Sequence, residues 1–376
     1  MIPVSRPRLE ERDVELVTRC LREGWVSSSG PWVASFEDRW AEYCSRRHGI
    51  AVASGTAALE LAVAALELEP GDEVVMPSLT IVSCALAVVR NGGVPVLVDC
   101  DPATWCVDAP AAEAAIGPRT RAIMPVHHFG HPADLEPLLR AAAEADLAVI
   151  EDAAQAHGAE YLVDEDGGEP IWRRCGSLGT IGVFSFYANK LVTTGEGGML
   201  VCDDDAIAAR ARSLRDLAHD PQRRFRHDRM GYNHRLSSLQ AALGLAQIER
   251  LGQAIRAHRD VAARYRERLA TVPGLRLPVE ATWARSVYWM FGVVLEDDGL
   301  PDASEVIAAL GRRGIDARPF FLGLHAQPCL SGRVRVAGPM TVTERLSSRG
   351  LYLPSAPDLS DAEVDAVVDG LRAVLA

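Results

Sequence analysis

The chain has 376 residues, more than one ordinary core accommodates, which predicts two domains in one compact unit. Hydrophobic residues make up 48% and charged residues 24%, and no apolar run approaches the ~20 residues a membrane span needs, so a globular protein without membrane contact is expected. The net charge of -12 argues against nucleic acid as a partner and means that an anionic ligand needs a local basic pocket.

The first segment, "MIPVSRPRLEERD", lacks the apolar core of a secretory signal. The eight cysteines are scattered and no two form a C-x-x-C pair. That supports neither a zinc knuckle nor a disulfide framework, and a reducing, cytoplasmic setting is expected.

Further along, short β-rich runs alternate with helical patterns. "GIAVAS" is followed by "TAALELAVAALEL", then come "DEVVMPS", "VPVLVDCD" and "RAIMPVHHFG". "ADLEPLLRAAAEAD" is helical and leads into "LAVIEDAA", and "GVFSFY" and "GGMLVCDD" add two more strands. Continuous apolar runs with helices between them predict an α/β fold, its sheet mostly parallel and covered on both faces. After Tyr232 the texture changes. "LSSLQAALGLAQIERLGQAIRAHRDVAARYRERLA" reads as one long helix or two in tandem, "VYWMFGVVLE" as a strand and "DASEVIAALGRRG" as a capped helix. Thr341 with Glu344, and Ser360 with Glu363, have the spacing of capping boxes. The domain boundary falls inside the long helical stretch, giving a large domain over 1–245 and a smaller α+β domain over 246–376.

In an open α/β sheet, ligands sit beyond the carboxyl ends of the strands. "GIAVAS" runs into "SGTAA", a turn whose N–H groups and hydroxyls suit a phosphate, although Thr56 could equally only start a helix. "LAVIEDAA" carries Glu151 and Asp152; a buried acid needs a cationic partner such as a protonated pyridine nitrogen, unless it caps a helix. "GVFSFYANK" ends in Ser185 and Lys190. A desolvated lysine is a nucleophile toward an aldehyde, a snorkelling one is not, and the glycines of "TGEGG" favour the first by letting backbone approach closely. "GYNHRLSS" offers Asn233 and Arg235 as an anion clamp or as a plain polar loop. In this order, phosphate cradle, aspartate, serine and lysine are what pyridoxal phosphate requires.

At these segments the sequence resembles the sugar aminotransferases of the DegT/DnrJ/EryC1/StrS family, which have the type I fold of pyridoxal phosphate enzymes. The resemblance spans nearly the whole chain. It includes "VASGTAALELAVAAL", "VIEDAAQAHGAEY", "GSLGTIGVFSFYANKLVTTGEGGML", "GYNHRLSSLQAALGLAQIERL" and "GIDARPFF". It implies that Lys190 forms the internal Schiff base and moves protons, and that Asp152 pairs with the pyridine nitrogen. Gln155 would bond the ring hydroxyl, Ala154 would cover one ring face, and Thr56, Ala57 and Ser185 would hold the phosphate. Asn233 and Arg235 would reach the cofactor of a neighbouring subunit, so a homodimer with shared sites is expected. Ile81 stands where the family usually places an aromatic residue on the other ring face, at a cost of about 1 kcal/mol in stacking. Retention of Lys190, where relatives with histidine become dehydratases, implies transamination.

The segments "SSSGP", "TTGEGG" and "RPFF" are most like members that aminate C4 of a GDP-linked 4-keto-6-deoxymannose with glutamate as donor. Ser28, Ser29, Arg235, Arg318 and His325 are the expected substrate contacts. Arg223, Arg224, Arg226, His227 and Arg229 form a basic run that could meet a diphosphate or simply a solvated face. His127 and His128, as neighbours on a strand, would point to opposite faces, so no metal site is expected. His157 reads as a structural histidine. A dTDP- or UDP-keto-hexose, a 3-keto isomer or a keto-cyclitol is the alternative substrate, and a non-catalytic ligand-binding protein the alternative of another class.

Overall fold

The computed structural model describes residues 1–164, 168–220, 222–223 and 225–375. Its first strands are β1 (His48–Val52), β2 (Glu73–Pro77), β3 (Val94–Val98), β4 (Thr120–Ile123) and β5 (Ala148–Asp152). A hairpin of β6 (Glu160–Val163) and β7 (Ile171–Arg174) precedes β8 (Ile181–Ser185) and β9 (Gly198–Cys202). The second half contributes β10 (Leu275–Arg276), β11 (Ala284–Arg285), β12 (Phe291–Leu295), β13 (Arg318–Pro319), β14 (Arg335–Val336) and β15 (Gly350–Leu353).

Among the described residues, the large sheet has the order β1-β9-β8-β5-β4-β2-β3-β14. From β8 to β14 all neighbours are parallel, and β9 runs antiparallel between β1 and β8. The apolar runs therefore are strands covered on both faces, as expected. Along β8 the two-residue period sends Ile181 and Val183 into one apolar cluster and Phe184 into the other. Phe184 meets the fully buried Trp40 edge-on, at 5.0 Å between ring centroids. Phe184→Ala would cost about 3–5 kcal/mol through lost burial and the cavity left behind.

A second, antiparallel sheet, β10-β12-β15-β13, packs with helices Leu251–Leu269, Ala303–Arg312 and Asp361–Leu375 around Tyr265, Phe291 and Leu371. The long helical stretch is two helices, Ser238–Glu249 and Leu251–Leu269, broken at Arg250 where φ is -120° and ψ 12°. Two expectations change. The strand in "VYWMFGVVLE" begins only at Phe291, because Tyr288 turns left-handed at φ 47°. The box expected at Thr341 does not form: Met340 is the N-cap, and Asp99 from the end of β3 accepts from Val342 N and Thr343 N at 2.9 and 2.8 Å. Ser360 and Glu363 do make their reciprocal bonds. Among the described residues, no helix is long and apolar enough to cross a membrane.

Candidate active site

The carboxyl ends of β1, β5 and β8 open on one cavity of about 350 Å³. Parallel strands bring this about, because their ends share one edge of the sheet. Ser54 caps helix Gly55–Ala65 by accepting from Ala57 N at 3.1 Å. The N–H groups of Gly55 and Thr56 lie in the first turn, where no intrahelical acceptor exists. The Thr56 hydroxyl lies 2.8 Å from that of Ser83. Only glycine fits at 55, since a Cβ there would stand 2.7 Å from the Cβ of Ser185. The turn after β1 and the end of β8 thus close on each other as a cradle of N–H groups and hydroxyls.

The two acids of β5 point to opposite faces and have opposite fates. Glu151 is fully buried and accepts from Gly176 N, Leu178 N and Gly179 N at 2.5–2.7 Å and from His127 Nε2 at 3.0 Å. Burial pushes its pKa up, and His127 with these N–H groups more than offsets that, holding it below the usual carboxylate range. Glu151 therefore ties the loop before β8 and has no capacity left for a ligand. Asp152, 1% exposed, accepts from Ala154 N at 3.0 Å on one oxygen and from the Cys84 thiol at 3.1 Å on the other. A thiol is a weak donor, so this carboxylate keeps acceptor capacity toward the cavity. Gln155 accepts from Phe129 N at 2.8 Å through Oε1, which leaves its amide NH₂ free to donate.

Lys190 is the only lysine of the chain. Its amine is turned inward, 3.5 Å from the centroid of the Trp289 ring. Burial lowers its pKa to about 7, while the charge of Asp152 acts in the other direction. His157 donates from Nε2 to Ser185 O at 2.8 Å. Burial, and then the charge of Lys190, push its pKa down to about 3, so it stays a neutral, structural ring.

The cavity brings together Thr56, Ile81, Asp152, Ala154, Gln155, Ser185 and Lys190 from the expected set. Ala57 sits just behind, buried in the helix. Ser28, Ser29, Asn233, Arg235, Arg318 and His325 lie outside its lining. Ser29 O accepts from Ser238 Oγ at 2.9 Å, Arg235 pairs with Asp216, and the backbone around Asn233 and His234 runs beside β1. Arg318 pairs with Asp316 and is opposite Tyr352, a lining residue, in the β13–β15 register. His325 Nδ1 is 2.8 Å from the Ser78 hydroxyl. Of the basic run, Arg226 pairs with Asp228, Arg229 with Glu67, and His227 Nδ1 donates to Leu217 O, whereas Arg224 lies outside the described residues. His127 and His128 separate at a turn rather than along a strand: β4 ends at Ile123, and His128 enters an aromatic group with Phe129 and Phe321. Sequence reading missed Cys84, Trp289 and Tyr352, which no local pattern marks, and met Phe321 only as part of the segment "RPFF".

These residues fit pyridoxal phosphate. The cradle suits its phosphate, Asp152 its pyridinium nitrogen, the Gln155 amide its ring hydroxyl and Lys190 its aldehyde. Among the described residues of the lining, Lys190 is the one cation, so the cradle itself offers only neutral donors.

Residues 7–372 match the DegT/DnrJ/EryC1/StrS aminotransferase family. A GDP-perosamine synthase of Caulobacter vibrioides is 40% identical over 376 residues, 100% of this chain and 98% of that one. The crystal structure of the aminotransferase TlmJ from Streptoalloteichus hindustanus is 33% identical, with a TM-score of 0.90 over 100% of this chain and 99% of that one. DesI, solved in the presence of its TDP-sugar product, is 33% identical, with a TM-score of 0.88 over 99% of this chain and 93% of that one.

Proposed function

The chain belongs to the DegT/DnrJ/EryC1/StrS aminotransferase family and is a pyridoxal-phosphate-dependent sugar aminotransferase; on that premise we propose that it moves the amino group of L-glutamate to GDP-4-keto-6-deoxy-D-mannose, giving GDP-perosamine. The observation that carries the chemistry is the convergence of Lys190 and Asp152 on one cavity. The sugar is supported by full-length similarity to a GDP-perosamine synthase.

When bound, pyridoxal phosphate supplies an aldehyde for amine exchange and a ring that accepts electrons as a bond to hydrogen breaks. Ser54–Ala57 and Ser185 would hold its phosphate. Asp152 would keep a proton on the ring nitrogen, and Ala154 and Ile81 would cover the ring. Lys190 Nζ, whose pKa burial lowers to about 7, takes a proton from the α-carbon of the donor. In the second half-reaction it returns a proton to the sugar carbon that gains nitrogen. Asp152 and Lys190 are thus the catalytic pair.

We further propose a homodimer in which Asn233 and Arg235 of each subunit serve the other's cofactor, since the described residues of the lining bring no second cation. Ser28, Ser29, Arg318 and His325 then belong to the sugar-nucleotide side. Residues 1–245 act as the cofactor domain, residues 246–376 as the domain that closes the cavity, and the enzyme works in the cytoplasm. The test is product analysis by mass spectrometry with glutamate and GDP-, dTDP- and UDP-linked keto sugars. Amination of the GDP sugar with release of 2-oxoglutarate is expected; turnover of the others but not of it would reject the substrate. The likeness to DesI favours a dTDP-keto sugar as the second reading.

A further inference from the structure

We propose that the indole face of Trp289 is the docking surface of the Lys190 amine: whenever that nitrogen is not bonded to the cofactor, Trp289 holds it beside the reacting carbon. This rests on the aminotransferase reading, in which Lys190 is released and recaptured in each half-reaction.

Four observations converge. The amine stands 3.5 Å from the ring centroid, within reach of a cation–π contact, which is strongest for tryptophan. Among the described residues it has no hydrogen bond and no ion pair, so the ring is its one polar-compatible contact. Trp289 is buried at 7% exposure, and its Nε1 donates at 2.7 Å to the carbonyl of Asn189, the residue just before Lys190. Ring and lysine are therefore held on one tether although 99 positions separate 190 from 289 (289 − 190). Finally, the backbone carrying Trp289 is locked. Tyr288 is left-handed at φ 47°, Val287 N donates to Gly130 O at 3.0 Å, and a Cβ on Gly130 would stand 2.9 Å from Trp289 N. The neighbouring left-handed residue, Phe129 at φ 49°, supplies the N–H that fixes Gln155. One interlock of two turns thus sets both the Lys190 rest and the Gln155 donor.

An untethered lysine would lose rotamer freedom again at every recapture, and its amine could meet the keto sugar out of turn. A ring face avoids both, and it holds the ammonium less firmly than a carboxylate in contact would. The groups that face the amine in charge are Asp152 and the neutral His157.

Because the chain has one lysine, growth on ¹³C-labelled lysine gives a protein with one labelled residue. Loaded with pyridoxamine phosphate, the enzyme carries Lys190 as a free amine, and its ε-methylene protons report the ring. They are expected upfield of an exposed lysine, through the ring current, in the wild type. In Trp289→Phe part of the displacement should remain. In Trp289→Leu it should vanish, and the ε-carbon titration midpoint should fall by up to about one pH unit, because the ammonium loses its partner. An ordinary lysine position in the wild type, or one unchanged in Trp289→Leu, overturns the proposal. If Trp289→Leu does not fold, the wild-type spectrum and Trp289→Phe decide. Failure of the aminotransferase reading looks different: glutamate would then not change the absorbance of the cofactor-loaded wild type.

Discussion

The floor of the cavity and its rim are built on different terms. On the floor, each group is fixed by a bond within the same chain: Asp152 by Ala154 N and the Cys84 thiol, Gln155 by Phe129 N. At the rim, Arg318, opposite the lining residue Tyr352, pairs with Asp316 and stays largely exposed. One chain thus fixes the groups on the floor, while Arg318 at the rim is held only by an exposed pair. Preorganised groups lose most when removed; exposed ones lose little.

The largest test of that contrast is Lys190→Met. It should lower turnover at least about a thousandfold and leave nothing for borohydride to fix to the cofactor, as read by mass spectrometry. A trapped adduct in the variant would place the chemistry elsewhere. Asp152→Asn comes next, with kcat down about a hundredfold or more while the cofactor still binds; steady-state kinetics beside an absorbance spectrum separate the two.

The third test uses pH. The donor half-reaction should slow as pH falls through about 7, because the Lys190 amine must be neutral to take a proton. Stability carries the same signature. With a folded pKa of about 7 against 10.5, the unfolded chain binds more protons between these values, so this group makes the cofactor-free protein more stable as pH rises across that window. Lys190→Met should therefore melt higher than the wild type, most clearly at or below pH 7, with the gap closing toward pH 10.5. Thermal melts over that range check the sign.

Cys84→Ala should weaken cofactor retention about fivefold by leaving one oxygen of Asp152 short of a donor, and Cys84→Ser should restore it. Smallest is the rim: Arg318→Ala should raise KM for the nucleotide sugar about two- to fivefold and leave cofactor loading untouched. A loss of loading there would erase the distinction between floor and rim.

The floor was legible in the sequence for a physical reason. Parallel strands are apolar throughout, so a polar residue at a carboxyl end stands out, and the topology carries those ends to one edge. Thr56, Asp152, Ser185 and Lys190 were readable in this way. Trp289 and Cys84 were not, because neither is exceptional in its own segment: one follows a left-handed turn that no glycine signals, the other opens an apolar helix. The failed box at Thr341 has the same origin. Its replacement, Asp99, is more than 240 residues away in sequence, beyond what local spacing can register.

The pairing of β14 with β3 ties Arg335 to Val96 and Val336 to Leu97. During synthesis, β3 emerges long before its outer neighbour exists, and its row of unpaired N–H and C=O groups stays open to other nascent chains until residue 336 leaves the ribosome. A polypeptide terminated before Arg335 would keep that border bare for good. Such truncations should aggregate even though Thr56, Asp152, Gln155, Ser185 and Lys190 are all present.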